Sequence, residues 1–396
     1  MHLLYSLSKS FTSTAVGFAV SEGLLGLDDT IISHFPELDD DITDERSRRI
    51  RVRHLLAMAS GHREETVARA YTIDPVDLVR GFLSIPPDEE PGTLFCYNQP
   101  CTFTLGAIVQ RASGQSLTDY LRPRLFDPLG IGEVGWQRDR SGRQLGFTGF
   151  HAPTSAVAKL GQLYLQKGVW AGEQLLPSGW VDEATVPHID NSSWENPDWQ
   201  QGYGFQFWIA RHGYRGDGAY GQFCVVLPEH DMVIAMTGQS IDMQAVLDAA
   251  WTHLLPAVDR TGETGSDAAL ASRLRGLGLP PLPAPSAGVF AGSFSAARGN
   301  DVPSLTEATL SVDGESWSLR LVEGDDTLTV PVGQGEWAVS DAFAVSGGEG
   351  RVDLVFLETP HRLHLTFDAD ERSFVSRWAT APLEGGPLAA LRMPRD

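Results

Sequence analysis

From Ser6 to Ser21 the chain runs SLSKSFTSTAVGFAVS, a helix-length stretch whose small residues suit close packing inside a domain. Glu22-Gly23 ends it, and Asp28-Asp29 signals a turn soon after. Helical spacing of apolar positions returns over residues 50–59 (IRVRHLLAMA), stopped by Ser60-Gly61, and over 103–111, 117–125 and 155–167. Then the period changes. Residues 204–209 (GFQFWI) and 222–227 (QFCVVL) are short, apolar and aromatic, which predicts strands. Residues 232–237 (MVIAMT) follow the tight turn Pro228-Glu229-His230-Asp231, so the last two segments predict a β-hairpin. An apolar helix over 243–258 closes the region. Helices first and antiparallel strands late predict an α+β domain over residues 1–258.

Between 259 and 287 the composition shifts to Gly, Pro and Ala, ending in LPPLPAP, which predicts a linker stiffened by proline. Residues 288–396 then alternate apolar and polar positions between Gly and Asp turns, as in LSVDGESWSLRLV and RLHLTF. That pattern predicts an all-β domain.

Charge narrows the function. A net charge of −21 repels phosphate backbones and anionic lipid, so neither nucleic acid nor a membrane is an expected partner. No apolar run reaches the roughly 18 residues of a membrane span. The opening Met1-His2-Leu3-Leu4-Tyr5 lacks the basic and apolar regions of a signal peptide, so a cytoplasmic location is expected. Cys96, Cys101 and Cys224 are too few and scattered for a disulfide framework or a zinc site; packing is their expected role. The histidines form no His-Glu-x-x-His, and no Gly-x-Ser-x-Gly elbow is present. His361 and His364, three apart in a predicted strand, face opposite sides. Neither a metal nor a cofactor is expected.

Ser6-Leu7-Ser8-Lys9 is the candidate for chemistry. On a helix, residues three apart share a face, so the Ser6 hydroxyl and the Lys9 amine can meet. A helix start also favours developing negative charge. Serine is a weak nucleophile until a base takes its proton, and a desolvated neutral lysine can do so. Only three of the 30 basic residues are lysine: Lys9, Lys159 and Lys167. In so arginine-biased a chain, a retained lysine points to a task arginine cannot perform, such as losing its proton. By itself the pairing is weak, since about one lysine in fifteen has a serine three residues before it.

The surroundings carry more. SLSKSFTSTAVGFAVSEGLLGLDD, RVRHLLAMASGH, GTLFCYNQPCTFTLGAIVQRASGQSLTDYLRPRLFDPLGI and GYGFQFWIARHGYRGDGAYGQFCVVLPEHDMVIAMT occur in this order. Together they resemble the class C β-lactamases, family VIII carboxylesterases and related serine peptidases of the penicillin-binding-protein superfamily. The resemblance covers nearly all of residues 1–258 and implies an antiparallel sheet flanked by helices. It implies that Ser6 is acylated, that Lys9 and Tyr97 handle its proton, and that the backbone N–H groups of Ser6 and Ala219 form an oxyanion hole. The family's Tyr-x-Asn matches Tyr97-Asn98-Gln99, where Gln99 stands in the asparagine position and either Gln99 or Asn98 can supply the amide. The family's Lys-Thr-Gly, or His-x-Gly or Trp-x-Gly, matches Gly216-Asp217-Gly218. Its cation is missing, and Asp217 there should repel a substrate carboxylate unless Arg215 compensates. Tyr203, Phe205, Trp208, Tyr214 and Tyr220 are candidate pocket walls.

The substrate expected from this resemblance is a small ester, amide or peptide, with esterase ahead of amidase or peptidase, and β-lactamase or acyl transferase behind. A catalytically silent binding or scaffold protein is the alternative. Residues 288–396 resemble the β domains, sometimes lipocalin-like, carried by some relatives. Relatives also place several dozen residues, with two strands of the sheet, before the nucleophile. Here Ser6 is the sixth residue, so one sheet edge is expected to lie open or to be covered by another element, the C-terminal β domain among the candidates.

Overall fold

The small-residue stretch forms helix α1 (Ser8–Ser21), entered through a single 3-10 turn at Tyr5–Leu7. Every residue of α1 from Ser8 to Ala19 is buried, which explains the composition. Small side chains admit close neighbours: a Cβ at Gly17 would lie 2.7 Å from the Trp180 ring. The hydroxyls are satisfied by backbone, Ser10 donating to the Gln206 carbonyl at 3.0 Å, Thr12 to Gly146 at 2.9 Å and Ser13 to Phe205 at 2.7 Å. A central helix can therefore be polar in sequence and buried on all sides.

In this computed structural model all residues are described except 259, 261, 263, 264, 286–290, 315 and 396. The chain divides into two units, the first being Met1–Gly238 with Asp242–Leu247 and the last few residues, the second Gln239–Ile241 with Asp248–Met393. In the first unit, strands β1 (His2–Leu3), β2 (Gly135–Trp136) and β3 (Phe150–Ala152) form a small antiparallel sheet in the order β1-β3-β2. Helix α2 (Gln99–Ser113) starts with Pro100 in its first turn and stops at Gly114, whose left-handed φ of 68° ends the helix. Helix α3 is Thr154–Leu165.

Strands β4 (Trp208–Ile209), β5 (Tyr214–Gly218), β6 (Gln222–Leu227) and β7 (Met232–Met236) form an antiparallel sheet in that order. The expected hairpin is β6–β7, with Phe223 opposite Met236 and Leu227 opposite Met232. Helix α3 packs on it so closely that a Cβ at Gly161 would meet Val233 Cγ1 at 2.5 Å. β7 is the outer strand and half-buried along its length.

Two expectations need correction. The strand expected over 204–209 is confined to Trp208–Ile209, because Gln206 takes a φ of 65°. Its buried amide instead bridges elements, donating to the Leu55 and Leu56 carbonyls and accepting from Thr102 Oγ1 at 2.5 Å. The helix expected over 243–258 is α-helical only at Met243–Ala249, then continues as irregular turns.

The second unit contains helix α4 (Ser266–Arg275), rich in Ala, Leu and Arg, inside the stretch expected as linker. The expected boundary at 287 lies outside the described residues. Strands β8 (Gly292–Ala296), β9 (Leu305–Asp313), β10 (Ser316–Glu323), β11 (Asp326–Gln334), β12 (Ala338–Ser340), β13 (Phe343–Gly348), β14 (Arg351–Phe356), β15 (His361–Asp368) and β16 (Ser373–Thr380) form one sheet. Parallel pairings β8–β16 and β11–β13 close it into a barrel, removing its main edges. The interior is apolar, with Phe294, Trp317, Phe343, Phe356 and Phe374 in one cluster. His361 is buried while His364 binds Asp353, as alternation requires.

Candidate active site

From Leu3 to Ala19, Ser6 is the single residue that is not buried. It sits in the 3-10 turn before α1, after Tyr5, whose φ of 47° is a strained conformation for an aromatic residue. Lys9, one helical step further, donates from Nζ to Ser6 Oγ at 2.9 Å and to the Phe147 carbonyl at 2.9 Å. Lys9 is 1% exposed. The other two lysines are solvent-facing, Lys159 bound to the Gly130 carbonyl and Lys167 to Asp182. The one lysine in a Ser-x-x-Lys pattern is thus the one inside the protein.

Tyr97 lies close enough to Ser6 to interact with it, and its ring lies 4.8 Å from Lys9 Nζ. Burial raises its hydroxyl pKa well above the tyrosine range, and the nearby Asp217 carboxylate adds to this. The neutral phenol is the resting form. Asn98 is fully buried, its Oδ1 accepting from the backbone and hydroxyl of Thr66 at 3.0 and 2.9 Å. Gln99 is half-buried and its Oε1 has no partner. Each amide keeps one unpartnered atom, the donor Nδ2 of Asn98 and the acceptor Oε1 of Gln99.

β5 carries the third constellation. A Cβ at Gly218 would lie 2.0 Å from the Leu4 carbonyl oxygen and 3.1 Å from Leu7 N, so only glycine lets this strand touch the turn holding Ser6. Ala219 follows directly, and Gln222 fixes its peptide by donating to the Ala219 carbonyl at 3.0 Å. Gly216 is equally constrained, since its Cβ would meet Ser10 Oγ at 2.4 Å and Leu7 Cδ1 at 2.6 Å. A side chain at the family's cation position has no room against α1.

Arg215 and Asp217 point to the other face of β5. Arg215 is fully buried: Nε donates to Asp217 Oδ2 at 3.0 Å, Nη1 to the Asp198 carbonyl at 2.6 Å, and the guanidinium lies 4.2 Å from the Trp199 ring. Burial pushes the Asp217 carboxyl upward while Arg215 pulls it down, and burial also lowers the guanidinium. Asp217, 7% exposed, further interacts with Trp208 and Lys9. Arg215 therefore does compensate Asp217. The pair is close to neutral, and the repulsion expected of a lone aspartate is largely cancelled.

Trp208 is buried and stacks on Tyr97, ring centroids 5.2 Å apart, so it braces the phenol from behind. Tyr203, Phe205 and Tyr214 are also buried. Tyr220 is half-buried with a φ of 68° and meets Tyr5 edge-on at 5.6 Å.

Three residues near the site carried no signal in the sequence. Trp194 and Phe95 join the aromatic cluster around Tyr97. Glu65 accepts from the Gln99 and Val67 backbone N–H groups at 3.1 and 3.0 Å, and its carboxyl is raised by burial. No spacing rule links position 65 or 194 to position 97. Among the described residues, no cluster of His, Cys, Asp and Glu could hold a metal, and no helix is long and apolar enough to cross a membrane.

Residues 1–255 match the Beta-lactamase family, and the chain belongs to it. It is 32% identical over 150 residues to lovastatin esterase of Penicillium rubens, a match spanning 32% of this chain and 37% of the esterase. It is 24% identical over 258 residues to the 6-aminohexanoate-dimer hydrolase of Paenarthrobacter ureafaciens, spanning 59% of this chain and 64% of that enzyme. The chain thus spans less than two thirds of either relative's length. The solved structure of SurE superposes with a TM-score of 0.51 at 20% identity, over 93% of this chain and 82% of SurE, a likeness of fold.

Proposed function

We propose that the first unit is a serine hydrolase that forms an acyl-enzyme on Ser6, acting on small esters or amides. The observation that carries this is the buried Lys9 amine 2.9 Å from the hydroxyl of Ser6, the one residue of the turn that is not buried, with the Tyr97 ring 4.8 Å from the same amine. A lysine amine can give up and retake a proton where a guanidinium cannot. In its neutral form Lys9 takes the Ser6 proton as Oγ attacks the substrate carbonyl. The Ser6 and Ala219 N–H groups face the developing oxyanion. Tyr97, neutral at rest, passes a proton to the leaving alcohol or amine as the tetrahedral adduct collapses to an ester on Ser6. Water then releases the acid along the same route. The amide of Gln99, or that of Asn98, whose buried Nδ2 has no partner, is the proposed donor to the acyl carbonyl.

Substrate choice follows from β5. Position 216 offers no cation, and the Arg215 charge is spent on Asp217 inside the protein. A substrate carboxylate finds nothing there to pair with, so neutral or amine-bearing substrates are favoured over β-lactams. The relatives named lovastatin esterase and 6-aminohexanoate-dimer hydrolase support the same direction. The barrel unit, taken as a separate domain after the 259–287 stretch, carries no proposed chemistry.

The test is steady-state hydrolysis by the full chain of neutral acetate and butyrate esters, matched anilides and a penicillin, beside Ser6→Ala. Ester turnover lost in the variant supports the reading. Turnover that survives in Ser6→Ala, or a penicillin preferred to every ester, overturns it.

A further inference from the structure

Trp194 is 38% exposed, although the rings it touches are largely inside the protein. It meets Phe95 edge-on at 5.9 Å, Tyr97 at 6.2 Å and Trp208 at 5.2 Å. The indole is thus held by three rings on its inner side and leaves its outer side to solvent. Leaving apolar surface of this kind wet forgoes stabilisation, which a packed core would have collected.

The backbone beneath it is pinned. Trp194 N–H donates to the Asn191 carbonyl at 3.1 Å, and buried Asn191 accepts from Gly202 N–H at 2.7 Å. Gln200 Nε2 donates to the Trp194 carbonyl. Four residues on, Asp198 is fully buried and binds Arg211 at 2.6 Å and Gln244 at 2.7 Å, while its carbonyl takes Arg215 Nη1. An exposed tryptophan on so anchored a segment is presented rather than loose.

We infer that Trp194, with half-buried Phe95, is a specificity-determining shelf for an aryl or extended apolar group on the leaving-group side of the scissile bond. The side follows from Tyr97. The oxyanion pair lies at Ala219 on the β5 edge, whereas Trp194 borders the phenol that hands its proton to the departing alcohol or amine. A ring attached to that alcohol or amine reaches Trp194; an acyl chain starts from the carbonyl carbon bonded to Ser6. The inference rests on the hydrolase reading above.

The experiment uses alkyl alcohols of similar intrinsic reactivity, so that binding is read rather than leaving-group chemistry. Benzyl acetate, ethyl acetate and ethyl phenylacetate are assayed with the full chain, Trp194→Ala and Trp194→Phe. The expected benzyl-to-ethyl ratio of kcat/KM falls about tenfold in Trp194→Ala, the effect of one lost aromatic contact with its buried area, and returns in Trp194→Phe. The change sits mainly in KM. Ethyl acetate turnover and the phenylacetyl-to-acetyl ratio stay within twofold. An equal loss on all three esters means a structural role and overturns the inference, as does a loss confined to ethyl phenylacetate. A parent enzyme that turns over all three with no benzyl preference overturns it while leaving the hydrolase reading intact. No turnover of any ester overturns the hydrolase reading, and the shelf with it.

Discussion

Replacing Asp217 by Asn removes one charge from the interior with almost no change of shape. Arg215 then remains fully buried with a neutral amide, the Asp198 carbonyl and the Trp199 ring around it, and its other nearby carboxylate, Asp198, is already bound to Arg211. A guanidinium does not shed its proton to escape such a site. Breaking a buried pair in this way costs about 3–5 kcal/mol. For a unit of this size each kcal/mol is worth about 2–4 °C, so the first unit should melt about 6–20 °C lower. Arg215→Met leaves the opposite orphan. Asp217, already pushed upward by burial, can take a proton, so this variant should lose less and recover as pH falls. The double variant Arg215→Met/Asp217→Leu should be more stable than the sum of the two singles requires. Differential scanning calorimetry at pH 5 and pH 8 reads all three. An Asp217→Asn melt within 2 °C of the parent, or strict additivity in the double variant, refutes the buried-pair argument.

Lys9→Met should keep the fold while lowering ester turnover by about 100- to 10,000-fold, the usual worth of a positioned proton acceptor, and a melt beside the kinetics separates the two effects. Gly216→Ala drives a methyl into Ser10 Oγ and Leu7. It should cost about 1–3 kcal/mol in urea unfolding, with Ser10→Ala partly restoring stability. His151 on β3 is held down to about 4 by burial, from an ordinary value of 6.5. Its folded pKa lies below its unfolded one, so stability is full above pH 6.5. It falls by about 1.4 kcal/mol per pH unit as the solution is taken toward pH 4. Unfolding curves between pH 7.5 and 5 should be flatter for His151→Leu, and an unchanged slope removes His151 from the account.

The spacing of Ser6 and Lys9 was legible because i and i+3 meet on any helix, and the hairpin because its turn and alternation are local. The arginine bias singled out lysine and the Ser-x-x-Lys spacing singled out Lys9; the structure adds that Lys9 alone of the three is buried. Asn98 and Gln99 were indistinguishable in sequence; contact with Thr66, 32 residues away, commits the Asn98 oxygen but leaves its Nδ2 without a partner. Trp208 read as a pocket wall; its stacking on Tyr97 and its burial were not legible in the sequence. Gln206 broke the expected strand through bonds to Leu55, Leu56 and Thr102, none of which periodicity reports. Trp194 and Glu65 reach the site from remote loops, where no motif marks them.

The most direct test of the account is the intact mass of the full chain after exposure to a fluorophosphonate, beside Ser6→Ala and Lys9→Met. Activation of Ser6 by the buried amine predicts one adduct on the parent, none on Ser6→Ala and a much slower adduct on Lys9→Met. An unmodified, folded parent, or an adduct that persists in Ser6→Ala, contradicts it.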